Sequence, residues 1–293
     1  MNRYFPFVSE AAKARYTARY REEEARWPLP FTGRFVETPE GRTYCRVCGP
    51  ADAPPLVLLP GLTTPSLLWA PNAVAWGRAF RLYTPDMIYD AGLSVNAAPV
   101  WRRRTLLSWL SHLFDALSLR RPFALAGMSY GGWLAAEYAL AHPEDVSRLV
   151  LLAPAAAVRP LRPRFLAAAA ACLFFPRLFA DRYFRWMFAD SLARPGAMTF
   201  AEFQEGAQLR LSSFRLRVPA LPRVFTDGEL ARLPQTLFLM GEHDRLCNPF
   251  AAARRIRAAC PRARARVLPG AGHDLPVVAA GRVNALVLDF LEK

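Results

Sequence analysis

The sequence predicts an α/β fold in which a mostly parallel sheet is flanked by helices. Short apolar runs alternate with segments of helical periodicity. These runs are bounded by proline or glycine, which is typical of strands that are buried on both faces. The apolar runs are residues 56–59, 80–83, 123–126, 149–152, 236–240 and 265–268, and the clearest helical segments are 102–119 and 132–141. Strands that alternate with helices form parallel sheets with right-handed crossovers.

The composition supports a folded chain with a large core. Of the 293 residues, 53% are hydrophobic and 21% are charged, which excludes an intrinsically disordered protein. No apolar run approaches the roughly 20 residues of a transmembrane helix, and the N-terminus lacks the apolar segment of a secretory signal. Five cysteines, an odd number, do not suggest a disulfide framework. We therefore expect a cytoplasmic protein with no membrane partner.

The chain divides into a body and one insertion. Residues 9–27 are polar and predict an exposed N-terminal helix within a helical arm at 1–30, and residues 33–48 predict a hairpin that turns at 39–41. The strand–helix alternation then stops between Pro154 and Leu233, where about three helices and no strand are expected, around 165–173, 177–187 and 200–211. We expect residues 1–154 and 233–293 to form the body, and residues 155–232 to form a helical cap over the carboxyl ends of the strands.

Most aromatic residues of the cap are expected to pack it onto the body, and one or two are expected to line an apolar pocket. The aromatic residues concerned are Phe174, Phe175, Phe179, Phe184, Trp186 and Phe188.

The motif GMSYG at residues 127–131 predicts a nucleophile. It matches G-x-S-x-G, directly after a predicted strand and directly before a predicted helix, which is the context that this motif requires. Glycines flank Ser129 because the strand-to-helix turn is tight, and a Cβ on the neighbouring stretch of chain on either side would collide with the backbone. The helix N-terminus that follows favours developing negative charge.

A serine needs a base within hydrogen-bond reach, and only four histidines are available. His112 and His142 fall within or at the end of predicted helices and are expected to be structural. His243 follows a strand and could line the site. His273 lies in a glycine-bracketed loop after the last strand, where its ring can lean over the nucleophile, so we predict that His273 is the base.

The third member of a catalytic triad must orient the imidazole ring. Asp244 follows the strand at 236–240, at the same edge of the sheet, and is the predicted acid. Glu242 is its nearest rival. Asp274 adjoins the histidine and is badly placed to reach back to its ring.

Three separated motifs resemble the α/β-hydrolase superfamily: LVLLPGL, GMSYGG, and the pair GEHD and GAGHD. The resemblance covers nearly everything from Gly33 to Lys293, and the order Ser129, Asp244, His273 is the one expected of that fold. Within the superfamily the chain resembles the capped bacterial serine esterase, or carboxylesterase-like, branch.

The resemblance also implies an oxyanion hole built from two backbone N–H groups, those of Tyr130 and Leu62. Pro60 stands where the family usually has a histidine before Gly61. The Leu62 donor is a backbone group, so we expect the oxyanion hole to tolerate this difference. The histidine side chain that usually braces the loop is nevertheless missing.

The net charge of +14 and the run at Arg102–Arg104 could indicate a nucleic-acid partner. The arginine run begins an otherwise apolar helix, so we interpret it as the solvated face of that helix. No nucleic-acid partner is expected.

Residues 155–232 contain twelve arginines and six acidic residues, and this positive surplus could instead attract an anionic substrate. The Cys45–Cys48 pair lacks a second ligand pair, so no metal or other cofactor is implied.

These features predict a serine hydrolase that cleaves carboxylic esters of small or medium apolar substrates through an acyl-enzyme. Carbon–carbon bond hydrolysis, lactone or thioester hydrolysis and acyl transfer use the same triad and stay open as alternatives. A non-catalytic ligand-binding protein is a more distant alternative, since a receptor would not need all three groups. Ser129 argues against dehalogenase and epoxide-hydrolase chemistry, because those relatives have a carboxylate there.

Overall fold

A nine-stranded sheet forms the centre of the computed structural model, which describes residues 5–193, 200–215 and 220–293. The strands are β1 (Phe31–Thr38), β2 (Gly41–Cys48), β3 (Pro55–Leu59), β4 (Arg81–Pro85), β5 (Val95–Asn96), β6 (Phe123–Met128), β7 (Val146–Leu152), β8 (Gln235–Gly241) and β9 (Ala263–Leu268). Their order is β1-β2-β4-β3-β6-β7-β8-β9, and β5 pairs with β2. The neighbours from β4 to β9 are parallel, while β1, β4 and β5 run antiparallel to their partner β2.

Helices cover both faces of the sheet. They are α1 (Glu10–Glu24), α2 (Ala70–Trp76), α3 (Arg103–Ala116), α4 (Tyr130–Ala141), α5 (Pro163–Phe174), α6 (Pro176–Met187), α7 (Ala189–Leu192), α8 (Phe200–Ser213), α9 (Asp227–Arg232), α10 (Pro249–Ala259), α11 (Leu275–Val278) and α12 (Ala280–Leu291). One apolar core includes Trp109 of α3 and Trp133 of α4, and the other includes Trp76 of α2 and Val287 of α12. The predicted three-layer α/β fold is confirmed.

The apolar runs predicted the strands well, because parallel strands with helices on both faces are buried along their length. All six runs overlap strands, and the hairpin of β1 and β2 lies at the expected residues. The two-residue strand β5 carries no comparable pattern. Cys45 and Cys48 of β2 belong to different apolar cores.

The N-terminal helix α1 is not an exposed arm. The side chain of Ser9 caps it by accepting the N–H of Ala12 at 3.0 Å. Tyr16 and Tyr20 are 4% and 2% exposed, and they pack with Phe7 and other residues in a third apolar cluster. The expectation of an exposed helix is therefore wrong for one of its faces.

A buried ion pair joins α1 to the sheet. Arg46 of β2 is fully buried and donates to the Glu24 carboxylate at 2.8 Å and to the Tyr20 hydroxyl at 2.9 Å. The Tyr44 hydroxyl donates to the same oxygen of Glu24 at 2.6 Å. A buried guanidinium is tolerated only while such partners remain.

The helices between β7 and β8 include the three that the sequence predicts, α5, α6 and α8, together with the short helices α7 and α9. Phe225 and Leu230 belong to the core of the body, so the downstream end of the expected 155–232 insertion packs with the body instead. Residues 194–199 and 216–219 of that expected cap fall outside the described part of the chain. Phe174 and Phe175 are 73% and 59% exposed, so these two of the six aromatic residues do not pack the insertion onto the body. Across the described residues, every helix is too short or too polar to cross a membrane.

Replacing Glu24 with alanine should destabilise the fold by about 3–5 kcal/mol, because it leaves the buried Arg46 without its paired carboxylate. Urea unfolding followed by circular dichroism measures the loss. Glu10→Ala on the same helix is the matched control, since Glu10 is exposed and pairs with Lys13 at the surface; its cost should stay below about 1 kcal/mol. Equal losses in the two variants would contradict a dominant role for the buried pair.

Candidate active site

Ser129 occupies the sharp turn between β6 and α4. Its backbone lies at φ 53° and ψ −116°, in the left-handed region of φ that non-glycine residues rarely adopt. Three backbone hydrogen bonds hold it there: its N–H donates to Leu152, and its carbonyl accepts from Trp133 and Ala155, all at 2.9–3.0 Å. The strained conformation is thus fixed by the neighbouring strand and by the helix that it begins.

The glycines around Ser129 are required by backbone packing. A Cβ on Gly127 would lie 2.3 Å from the carbonyl oxygen of Gly131, and a Cβ on Gly131 would lie 2.3 Å from that of Pro60. Helix α4 therefore begins directly against the ends of β6 and β3. On the other side, a Cβ on Gly61 would lie 3.4 Å from the Cβ of Ser129, so the loop after β3 borders the nucleophile.

Asp244 and His273 form a buried pair. Nδ1 of His273 lies 3.2 Å from Oδ2 of Asp244, and the residues His273 and Asp244 are 5% and 2% exposed. The other carboxylate oxygen of Asp244 accepts the N–H of Leu246 at 2.7 Å, which fixes its orientation. With Nδ1 directed at Asp244, Nε2 of His273 is left for another partner.

Backbone hydrogen bonds join the loops that carry the three predicted residues. The N–H of Ala153, after β7, donates to Leu239 of β8 at 2.8 Å, while the N–H of His243 donates to Ala271 in the His273 loop at 2.9 Å. A Cβ on Gly241 would lie 2.1 Å from the carbonyl oxygen of Gly272. Together with the bond from Ser129 to β7, these contacts bring the ends of β6, β7, β8 and β9 into one assembly.

Asp90 braces the loop that contains Leu62. Its carboxylate accepts the backbone N–H of Thr63, a residue held at φ 59°. Asp90 is only 9% exposed, and burial raises the pKa of its carboxyl to about 6, although the N–H groups of Ala91 and Thr63 oppose that rise. Asp90 was not predicted from the sequence. Two features pointed to it: it is a carboxylate in the loop after β4, and Pro60 replaces the histidine that usually braces the Leu62 loop.

The rival residues have other partners. His112 contacts Glu40 at 3.0 Å, and His142 stacks on the Tyr138 ring at 4.6 Å between centroids. Glu242 accepts the N–H of Gly270 at 2.9 Å, so its carboxylate holds the His273 loop from outside.

Two residues of α7 contact the loops of the candidate site, and the sequence did not reveal them. Asp190 lies 2.8 Å from Nδ1 of His243 and close to Gly272, while the Ser191 hydroxyl donates to Asp274. Asp274 is 6% exposed, and burial raises the pKa of its carboxyl. The inserted helices thus contact the loops after both β8 and β9.

Known proteins are similar to this chain over nearly its whole length. The sequence profile of the alpha/beta hydrolase family matches residues 56–286. The carboxylesterase YbfK of Bacillus subtilis is 31% identical over 97% of this chain and 96% of its own, and its crystal structure superposes with a TM-score of 0.84. Naproxen esterase of Bacillus subtilis is 30% identical, with a TM-score of 0.86 over 98% of this chain and 100% of its own. The resemblance read from the motifs is confirmed, and the chain belongs to the alpha/beta hydrolase family.

Proposed function

We propose that this protein is a serine carboxylesterase that hydrolyses esters of small or medium apolar substrates. The observation that carries the proposal is the buried Asp244–His273 pair on loops joined by backbone bonds to the strained turn at Ser129. The full-length similarity to carboxylesterases supports the ester as the bond that is cleaved.

In the proposed reaction, Ser129 Oγ attacks the ester carbonyl carbon while Nε2 of His273 accepts its proton. His273 then gives that proton to the departing alcohol, and an acyl-enzyme remains on Ser129. Water, deprotonated by His273, attacks the acyl carbon, and the proton returns to Ser129 Oγ as the acid leaves. Asp244 keeps the imidazole in one tautomer and stabilises its protonated form.

The negative charge of each tetrahedral intermediate is assigned to two backbone donors, the N–H groups of Tyr130 and Leu62. Tyr130 begins α4, so its N–H belongs to a helix N-terminus that has no acceptor within the helix. Leu62 follows Gly61, whose α-carbon borders Ser129. Asp90 acts here as a positioning residue, because it holds the next N–H along this loop, that of Thr63.

We also infer that the helices between β7 and β8 form a cap over the substrate. The contacts from α7 to the His273 and His243 loops support this placement. The burial of Phe225 and Leu230 favours a cap that ends before 225 rather than at 232. A cytoplasmic location and an anionic preference of the substrate stay predictions.

Replacing Ser129 with alanine should reduce the turnover of a chromogenic short-acyl ester by at least about 10⁴-fold, because the nucleophile is lost. Stopped-time absorbance assays measure kcat and KM. Ser108→Ala, an exposed serine of α3, is the control and should keep full activity. Turnover that survives in Ser129→Ala would contradict the serine mechanism. Labelling of Ser129 by a fluorophosphonate without ester turnover would favour carbon–carbon hydrolysis or acyl transfer instead.

Replacing Asp90 with alanine should lower kcat about tenfold and change KM less than twofold. The reason is that a loosened Leu62 loop binds the intermediate less well while it leaves the bound ester unaffected. Steady-state kinetics on the same ester measure both constants. Asp52→Ala, in an exposed turn, is the matched control. A change in KM with kcat unchanged would contradict the positioning role.

The raised pKa of Asp90 predicts a specific pH dependence of stability. Between pH 4 and 6 the folded state keeps a proton on Asp90 that the unfolded state, with an ordinary pKa of 3.8, releases. Asp90 therefore contributes more stability at low pH, and this is lost as the pH rises through about 6. The free energy of unfolding of the wild type minus that of Asp90→Asn should fall by about 2–3 kcal/mol between pH 4 and 7. Parallel unfolding curves across this range would show that Asp90 does not titrate there.

A further inference from the structure

Helices α5 and α6 expose an apolar surface around the turn that joins them. Phe174, Phe175, Leu178 and Phe179 are 73%, 59%, 76% and 37% exposed, and the Phe175 and Phe179 rings lie 6.5 Å apart. We call these four residues the hairpin tip. Large apolar side chains that cluster on a surface in this way mark an interaction site.

The hairpin tip lies in a strongly basic stretch. Between residues 159 and 187 there are six arginines and one acidic residue, Asp181. Arg177 and Arg182 are exposed on the same helix as Leu178. The Asp181 carboxylate accepts the Gln204 amide at 2.8 Å. The hairpin tip therefore combines exposed phenylalanine and leucine with the exposed cations Arg177 and Arg182, while the arginines before residue 165 lie toward the other end of α5.

The positive charge beside the hairpin tip indicates which kind of partner this surface binds. A second copy of this chain packed tip to tip would bring two arginine-rich surfaces together, which opposes association. An anionic lipid surface offers negative headgroups to the arginines and an apolar layer to the phenylalanines. Each of the two helices has 12 residues, so each is about 18 Å long and can lie within the headgroup region without crossing the bilayer.

We propose that the hairpin tip docks the protein peripherally on anionic membranes. The expectation of no membrane partner rested on the lack of a long apolar span, and peripheral docking needs no such span. The docked helices continue into α7, which contacts the His243 and Asp274 loops of the candidate site. Apolar esters partition into bilayers, so docking would place the candidate site beside them.

Co-sedimentation of the full chain with vesicles tests the proposal and requires no ester turnover. Binding should be strong to vesicles that contain phosphatidylglycerol, weak to pure phosphatidylcholine vesicles, and weaker as salt is raised. Equal binding to both kinds of vesicle, or to neither, would overturn the proposal.

Variants assign the binding to the hairpin tip. The double variant Phe174→Ser with Leu178→Ser should lose at least about tenfold in vesicle affinity. Arg177→Gln with Arg182→Gln should lose about 25-fold on anionic vesicles, from about a fivefold loss for each arginine. The matched controls lie on α10: Phe250→Ser, at a half-exposed phenylalanine, and Arg254→Gln with Arg257→Gln, at exposed arginines. These controls should bind as the wild type does.

The folding and the oligomeric state of the variants are measured in parallel. Thermal midpoints close to that of the wild type would show that the variants are folded. Light scattering without lipid should give the same mass for the wild type and for Phe174→Ser with Leu178→Ser. A wild-type dimer that this double variant dissociates would overturn the proposal in favour of a second copy on the same surface.

Discussion

The arrangement of the candidate site depends on close backbone contacts around Ser129. The chain reverses there at a positive φ, and the first turn of α4 lies against the carbonyl groups at the ends of β6 and β3. Only glycine at 127 and 131 permits these approaches, because a Cβ at either position would overlap a backbone oxygen that cannot move away. The same contacts place the Gly61 loop beside the Ser129 side chain. The turn at Ser129 and the Gly61 loop are therefore positioned by the backbone, which is consistent with a side chain at Pro60 that differs from the family pattern.

The loops after β8 and β9 are held in a comparable way, and also from the side of the inserted helices. Gly241 and Gly272 approach backbone to backbone, and Glu242 fixes the N–H of Gly270. Asp190 and Ser191 then contact these loops from α7. A movement of the inserted helices would therefore displace the His273 loop. The position of the inserted helices is thus coupled to that of His273, the proposed base.

Much of the fold could be predicted because doubly buried strands require continuous apolar runs, and the sharp turn at Ser129 because it requires glycines. The burial of α1 was missed since its residues are mostly polar, although Tyr16, Tyr20 and Glu24 recur at intervals of four along one face. Asp90 and Asp190 could not be found from the sequence. Each acts on a loop distant in the chain, and a carboxylate that will meet a distant N–H group looks like any other surface acid.

The structure changes the meaning of the arginine surplus. Arg223 of the expected cap is engaged by two carboxylates, those of Glu137 and Glu229, at 2.7–2.9 Å. Arg210 lies where its positive charge acts on Asp90. Of these two, Arg223 is balanced by paired carboxylates of the protein itself and leaves little charge to attract an anionic substrate. Exposed arginines lie on α6, where Arg177 and Arg182 stand beside the apolar side chains of the hairpin tip, and others, such as Arg159, Arg162 and Arg232, lie elsewhere in the expected insertion. The positive charge at the hairpin tip is suited to bind an extended anionic surface, while an anionic preference of the substrate stays a prediction.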